Sequence, residues 1–213
     1  DPKEILLCAA TKMNDADAVR QAIAAGVDCC GENRVQELTV KLAQNAYDGV
    51  PVHFIGHLQT NKVRQVVGKV SLIQSVDSER LLAAIDREAA RQGIVQDILL
   101  EVNIAGEESK GGCTPELAWE LARQSAQLDH VRFRGLMAIP PVSTVPGENR
   151  PWFRAMHQLF VDMREKMSDN QGDITYLSMG MSGDYADAIA EGSTLIRVGT
   201  ALFGPRPPMV PRK

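Results

Sequence analysis

Short apolar runs alternate with longer amphipathic stretches along the whole chain. The apolar runs have the length of β-strands and are almost continuously hydrophobic, as is typical of strands buried on both faces. They lie at residues 5–11, 29–33, 53–57, 72–76, 97–103, 133–139, 176–181 and 195–203. The pattern therefore predicts eight strands of a parallel sheet, separated by helices.

The stretches between these runs carry helix signals. They cover residues 16–25, 34–46, 60–67, 78–92, 115–128, 152–167 and 184–191. Gly26, Gly93 and Gly192 follow three of them, and glycine commonly ends a helix. Ser78 and Thr114 precede two others, where a side-chain oxygen can cap exposed amides.

Eight strands that alternate with helices suit a closed (β/α)8 barrel or an open doubly wound sheet. An open sheet that binds a dinucleotide usually has a glycine-rich turn after its first strand, but here that turn reads TKMN, residues 11–14. We therefore predict an α/β fold, a single-domain (β/α)8 TIM barrel over residues 1–213 with a proline-rich tail at 205–213.

Composition narrows the classes of partner. The net charge is -4 without a basic run, which disfavours nucleic acid and anionic membranes. The longest apolar runs fall well short of the roughly 20 residues that span a bilayer, so we expect a soluble, cytoplasmic protein. We also expect a monomer that forms at most a weak dimer.

Cysteine and histidine spacing gives no sign of a metal. The chain has four cysteines, among them the adjacent pair Cys29-Cys30, and none has the CxxC spacing. Histidines at 53, 57, 130 and 157 do not form a convincing ligand set. We predict reduced, structural thiols and no metal.

The ends of the predicted strands carry the candidate chemistry, because a (β/α)8 barrel builds its active face from the loops after its strands. Lys12 follows the first strand, either as an ordinary solvated strand end or as a partly desolvated amine able to form an imine. Ser182 follows the seventh strand, and Gly199 and Thr200 lie towards the end of the eighth, at the usual phosphate site of such barrels, although a helix cap and turn glycines explain them equally well. Together these features suggest pyridoxal 5'-phosphate (PLP), with Lys12 as the imine former.

Six segments of the chain carry a family resemblance. They read AATK, GENRVQE, HFIGHLQTNK, ESKGG, LSMGMSGDY and IRVGTALFG, in that order, between residues 5 and 204. In them the chain resembles the PLP-binding, or PLP homeostasis, proteins often called the YggS/PROSC family. The resemblance implies a barrel similar to the N-terminal domain of alanine racemase and a role in vitamin B6 homeostasis without an established reaction. It also implies that a helix normally preceding the first strand is missing from this chain.

The same resemblance implies roles for individual residues. Lys12 becomes the Schiff-base lysine, and the other expected cofactor contacts are Asn33, Ile55, Met179, Ser182, Arg197, Gly199 and Thr200. Of these, Ser182, Gly199 and Thr200 would hold the phosphate, and Ile55 and Met179 would pack near the ring. Arg197 would face the pyridine nitrogen, where an arginine keeps its proton and so weakens the ring as an electron sink.

Three functions remain open: a PLP carrier or regulator that supplies apoenzymes, a PLP-dependent amino-acid racemase, and a PLP-free enzyme acting on a sugar phosphate. We favour the carrier. Racemisation needs an acid/base group on each face of the Cα, and the tail at 205–213 contains no tyrosine to oppose Lys12. We expect His57 to be a hydrogen-bonded structural residue and Lys110 to be an ordinary solvated lysine, rather than residues with a direct chemical role.

Overall fold

A closed barrel of eight parallel strands forms the centre of the molecule. The structure, a computed structural model, describes residues 2–107, 110–167 and 173–204. Strands β1 to β8 comprise Leu6–Ala10, Cys29–Glu32, Val52–Phe54, Leu72–Val76, Gln96–Glu101, Val131–Met137, Tyr176–Ser178 and Leu195–Val198. Each strand pairs with the next in chain order, and β8 closes on β1. The predicted (β/α)8 barrel is confirmed.

Helices connect the strands around the outside of the barrel. Helices α1 to α7 comprise Ala16–Ala24, Val35–Ala43, Glu79–Gln92, Pro115–Ser125, Arg150–Lys166, Tyr185–Ala190 and Thr200–Phe203. Shorter 3₁₀ helices cover Pro2–Glu4 and Thr60–Gln65, so the helix predicted at 60–67 is a 3₁₀ helix.

The predicted helix ends are partly confirmed. Gly93 ends α3 in the left-handed conformation, with a φ of 66°, which glycine adopts without steric cost. The Thr114 side chain caps α4 by accepting from the amide of Leu117 at 3.2 Å. Ser78 makes no such side-chain bond at the start of α3, so the predicted cap is wrong there.

The eighth strand is shorter than predicted. The apolar run at 195–203 suggested one strand, but β8 ends at Val198 and the chain turns into α7. The amides of Gly199 and Ala201 donate to Ser182 Oγ, each at 3.2 Å, instead of extending the sheet. The prediction failed because a short helical turn with apolar residues cannot be told from a strand by hydrophobicity alone.

The main hydrophobic core lies between the barrel and its helices. Phe54, Phe133 and Phe153 are fully buried there. All four cysteines are buried and free, as predicted. No helix in the described part of the chain is both long and apolar enough to cross a membrane. Residues 108–109 of the ESKGG segment and the tail at 205–213 lie outside the described residues.

The inside of the barrel is layered from its floor to its mouth. At the floor, the Asp97 carboxylate pairs with Arg132 at 2.7 Å and with Arg134 at 3.3 Å. An apolar layer of Leu72, Leu99 and Met137 covers these charges. The strands then present polar side chains, and the loops beyond them form the mouth. The polar side chains of the strands therefore lie on the mouth side of this apolar layer.

Candidate functional site

A buried carboxylate, that of Glu32 at the end of β2, organises one side of the mouth. Glu32 is fully buried, and its Oε2 lies 2.7 Å from Lys41 Nζ. The hydroxyls of Thr11 and Tyr47 donate to the same oxygen at 3.1 and 3.3 Å. The backbone amide of Asn33 donates to Glu32 Oε1 at 2.8 Å. Because these partners come from α2 and from the segments directly after β1, β2 and α2, one carboxylate fixes the ends of two strands against a helix.

The loop after β1 carries Lys12 and is anchored on both sides. The carbonyl oxygen of Thr11 accepts from Lys41 Nζ at 2.7 Å, and the amide of Met13 donates to Glu37 Oε2 at 2.7 Å. Met13 has a φ of 63°, so the chain turns sharply directly after Lys12. Lys12 itself is half-buried. Its backbone position is therefore set by the ion pairs of α2 rather than by the β1 strand alone.

Asn33 and Ile55 line the next part of the mouth. The Asn33 side-chain oxygen Oδ1 is buried and has no hydrogen-bond partner among the described residues. Ile55 is buried, and its side chain covers Gly31: a Cβ added to Gly31 would lie 2.7 Å from Ile55 Cδ1. A Cβ on Gly56 would overlap the carbonyl oxygen of Asn33, so the β3 loop packs directly on the β2 loop.

The loops after β7 and β8 converge on one oxygen atom. Ser182 Oγ accepts from the amides of both Gly199 and Ala201. Two backbone amides directed at one oxygen form the kind of cradle that receives an anion. A Cβ on Gly199 would lie 3.5 Å from Ala10 Cβ at the end of β1, an ordinary contact distance. Thr200 is exposed at the start of α7.

Arg197 lies inside the barrel, below this cradle, at the end of a hydrogen-bonded row. Its guanidinium donates to Ser178 Oγ at 2.6 Å and to the Ala138 carbonyl at 2.9 Å. Ser178 donates to Gln74 Oε1 at 2.7 Å, and Gln74 Nε2 bonds His53 Nδ1 at 2.9 Å. Burial lowers the pKa of Arg197. Because arginine starts from a very high value, it remains a fixed donor beneath the mouth.

Glu101 is a second ionisable residue in the region of Arg197. It ends β5 and is buried, and burial together with the negative charge of Asp77 raises its pKa from 4.5 to about 7. The positive charge of Arg197 acts in the opposite direction. Glu101 can therefore gain or lose a proton near neutral pH.

The structure brings most of the predicted site residues to one end of the barrel. Ala10 pairs with Gly31 and Ala9 with Val198, so the loops that carry Lys12, Asn33 and Gly199 are neighbours. His57 is exposed and Lys110 is half-buried.

Met179 is the exception. Its side chain belongs to the apolar cluster shared with the helices, because Ser178 points into the barrel and the next residue points outwards. The structure thus does not bring Met179 to the mouth.

Several polar groups have no role predicted from the sequence. Glu32 and Ser178 are recognisable only as polar residues at strand ends, and Gln74 and Glu101 lie within predicted strands; each is buried. A buried polar residue in an otherwise apolar strand was the available signal. His53 received less weight than His57, yet His53 is the buried one.

Comparison with known proteins is consistent with this geometry. The family model described as the alanine racemase N-terminal domain matches residues 6–207. The pyridoxal phosphate homeostasis protein of Aquifex aeolicus is 42% identical over 200 residues, which cover 94% of this chain and 86% of that protein. The Escherichia coli protein of the same name is 36% identical over 208 residues, covering 96% and 87%. The chain therefore belongs to the family of pyridoxal phosphate homeostasis proteins, and the predicted resemblance is confirmed.

Solved structures share the barrel. PipY of Synechococcus elongatus, solved with PLP bound, superposes with a TM-score of 0.86 at 36% identity, over 96% of this chain and 94% of that chain. An alanine racemase of Clostridium difficile superposes with a TM-score of 0.76 at 14% identity, over 96% of this chain and 53% of that enzyme. The second likeness concerns the fold alone.

The first prediction concerns the buried ion pair. Lys41→Met leaves the Glu32 carboxylate buried without its cation, and we expect the free energy of unfolding to fall by about 3–5 kcal/mol. The double variant Glu32→Gln/Lys41→Met should recover much of this loss, because no uncompensated charge remains. Arg91→Met, at an exposed ion pair with Glu88, is the control and should change stability by no more than about 0.5 kcal/mol. Denaturant unfolding measures all three, and a Lys41 effect as small as that of Arg91 would contradict the assignment.

The second prediction concerns Glu101. Its pKa is raised on folding, so its neutral form stabilises the native state; that contribution is complete below about pH 4.5 and is lost as the pH rises through about 7. Glu101→Gln should therefore gain stability over the wild type by roughly 3 kcal/mol between these pH values. Exposed Glu116→Gln is the control. A difference between Glu101→Gln and wild type that does not change with pH would refute the buried, protonated carboxyl.

Proposed function

We propose that this protein binds PLP at the barrel mouth and serves in its homeostasis as a carrier or buffer rather than as an enzyme. The Lys12 amine would hold the aldehyde covalently, and the loops after β7 and β8 would hold the phosphate. The observation that carries the proposal is the pair of amides, of Gly199 and Ala201, that converge on one oxygen beside the loop of Lys12. PLP carries its reactive aldehyde and its phosphate arm on adjacent carbons of one ring, so an amine and an amide cradle on neighbouring loops can hold both groups.

The residues of the mouth fit such a group. The unpartnered, buried Asn33 Oδ1 matches a ligand with a polar ring substituent. Ile55 offers an apolar wall beside Gly31. Ser182, Gly199 and Thr200 are the proposed phosphate ligands. The relatives' name and the PLP-bound state of PipY support the same cofactor.

Arg197 supports a binding role over a catalytic one. Its guanidinium is held by Ser178 and Ala138 and cannot readily give up its proton. We propose that it donates to the ring nitrogen and so leaves that nitrogen unprotonated. A ring in this state stabilises a carbanion poorly, which protects bound amino acids from side reactions.

An amino-acid racemase is the second candidate, and the positions of the tyrosines argue against it. Tyr47 is buried against Glu32, and burial raises its pKa. Tyr176 lies near the floor, with the Arg134 guanidinium 5.6 Å from its ring. Tyr185 is 40% exposed on α6. Within the described part of the chain, no tyrosine is buried at the mouth opposite Lys12.

Partners and location belong to the same proposal. PLP-dependent apoenzymes would receive the cofactor, the protein would act as a monomer or a weak dimer, and its place would be the cytoplasm. The names of the relatives describe homeostasis rather than a reaction, which agrees with a non-catalytic role.

The third prediction tests the site of covalent attachment. Borohydride treatment of the PLP-loaded protein should trap a pyridoxyl adduct on Lys12, because this residue follows β1 and its loop is next to the loop that carries the amide cradle. Peptide mapping by mass spectrometry locates the adduct. Trapping only on Lys62 or Lys110 would show that the assignment of Lys12 is wrong.

The fourth prediction tests the phosphate cradle. Gly199→Leu should fold, because its φ of -119° suits any residue and its Cβ has ordinary space. Its side chain should nevertheless obstruct the phosphate and raise the Kd for PLP by about tenfold or more. Lys110→Met is the control and should retain PLP as the wild type does. Equal retention by both variants would exclude the cradle.

The fifth prediction separates the carrier from the racemase. The PLP-loaded protein is incubated with L-alanine in deuterated water, and Cα deuteration and D-alanine are followed over time. Because no tyrosine among the described residues is buried at the mouth to act as a second acid/base group, we expect turnover far below about 1 per second, the low end of typical enzyme rates. Turnover at or above that rate would establish the racemase instead.

A further inference from the structure

Three metal-ligand side chains meet inside the barrel, below the proposed PLP site. Cys8 on β1, Cys29 on β2 and His53 on β3 offer donor atoms that all lie within 4.8 Å of one another. Their exposed fractions are 0%, 2% and 5%. The sequence gives no warning of this group, because the residues are far apart in the chain and come together only through the parallel register. No step of the proposed function uses them.

The surrounding hydrogen bonds orient the His53 ring for metal binding. Arg197 can only donate, so Ser178 Oγ accepts a hydrogen bond from it. The Ser178 hydroxyl in turn donates to Gln74 Oε1. The other end of the Gln74 amide, Nε2, then donates to His53 Nδ1 at 2.9 Å. Nδ1 therefore carries a lone pair, and it lies 3.6 Å from Cys29 Sγ. An unprotonated imidazole nitrogen beside a sulfur is what a thiophilic metal requires.

The two thiols are placed to bind the same cation. Cys8 and Cys29 are register partners on neighbouring strands, and their Sγ atoms lie within 4.8 Å of each other. A bound dication ionises the thiols that coordinate it.

We propose that Cys8, Cys29 and His53 form a buried site for a thiophilic d10 cation, for which Zn²⁺ is the representative probe. Two thiolates and one imidazole are three of the four ligands of a tetrahedral zinc centre, and water would be the fourth. Cys8 Sγ packs directly against Gly31, since a Cβ there would lie only 2.8 Å from this sulfur. The site rests on its own geometry and does not depend on PLP binding.

Metal binding would also affect the hydrogen bonds that hold Arg197. A cation on His53 Nδ1 displaces the Gln74 amide from that nitrogen, and Gln74 is joined to Arg197 through Ser178. Cys8 is in addition the register partner of Arg197 across β1 and β8. The cluster is therefore placed to influence the donor beneath the mouth.

The experiment uses the full, reduced chain loaded with Zn²⁺ and freed of excess metal. X-ray absorption at the zinc edge should show two sulfur ligands at about 2.3 Å and one nitrogen at about 2.0–2.1 Å. Competition with a chromophoric chelator gives the affinity. A coordination shell of nitrogen and oxygen alone, or a protein that retains no zinc, would overturn the proposal.

Variants assign the ligands. Cys8→Ser and Cys29→Ser should each weaken zinc binding on the order of 100-fold, because each removes one thiolate. Cys113→Ser is the matched control, as Cys113 is also a buried free cysteine but lies outside the cluster. Unchanged affinity in both cluster variants would refute the site. If either variant does not fold, as judged by circular dichroism, the sulfur shell of the wild-type protein decides the outcome.

Discussion

The carboxylate of Glu32 is the contact on which the mouth of this barrel depends. Strands pack on one another along the whole barrel, but the loops beyond them need separate support, and here one buried oxygen receives Lys41, Thr11 and Tyr47. The same lysine binds the carbonyl of Thr11, the residue before Lys12. A buried ion pair of this kind is weak evidence for stability, since apolar residues often replace it without loss. Its effect here is positional: it fixes where the chain turns after β1.

The interior of the barrel links the mouth to the strands below it. The row from His53 through Gln74 and Ser178 to Arg197 is fully hydrogen-bonded and buried, so its members have little freedom to reorient. Arg197 is consequently a fixed donor rather than a mobile charge. A site with a rigid donor, an amine on an anchored loop and an amide cradle is suited to holding a reactive aldehyde. Within the described residues, no tyrosine is buried at the mouth to serve as the second acid/base group that racemisation needs.

The sequence predicted the architecture well because hydrophobic strands that alternate with helices have few stable arrangements. It predicted that Lys12 and Gly199 lie at the same face of the barrel, because both are at the ends of strands and all parallel strands end at one face. It did not predict the end of β8, where apolar residues of α7 continue the strand pattern. Nor did it predict the cluster of Cys8, Cys29 and His53. Such contacts follow from strand register, which hydrophobicity alone does not set.

The central claim is that Lys12 and the amide cradle hold the aldehyde and the phosphate of one ligand. Equilibrium binding of PLP and of pyridoxal, which lacks the phosphate, to wild type and to Lys12→Ala tests it most directly. We expect wild type to bind pyridoxal at least about tenfold more weakly than PLP, and Lys12→Ala to keep that preference with lower affinity for both, because charge-assisted hydrogen bonds to the phosphate persist. Equal affinity of the wild type for the two ligands, or affinity unchanged by removal of Lys12, would contradict the account.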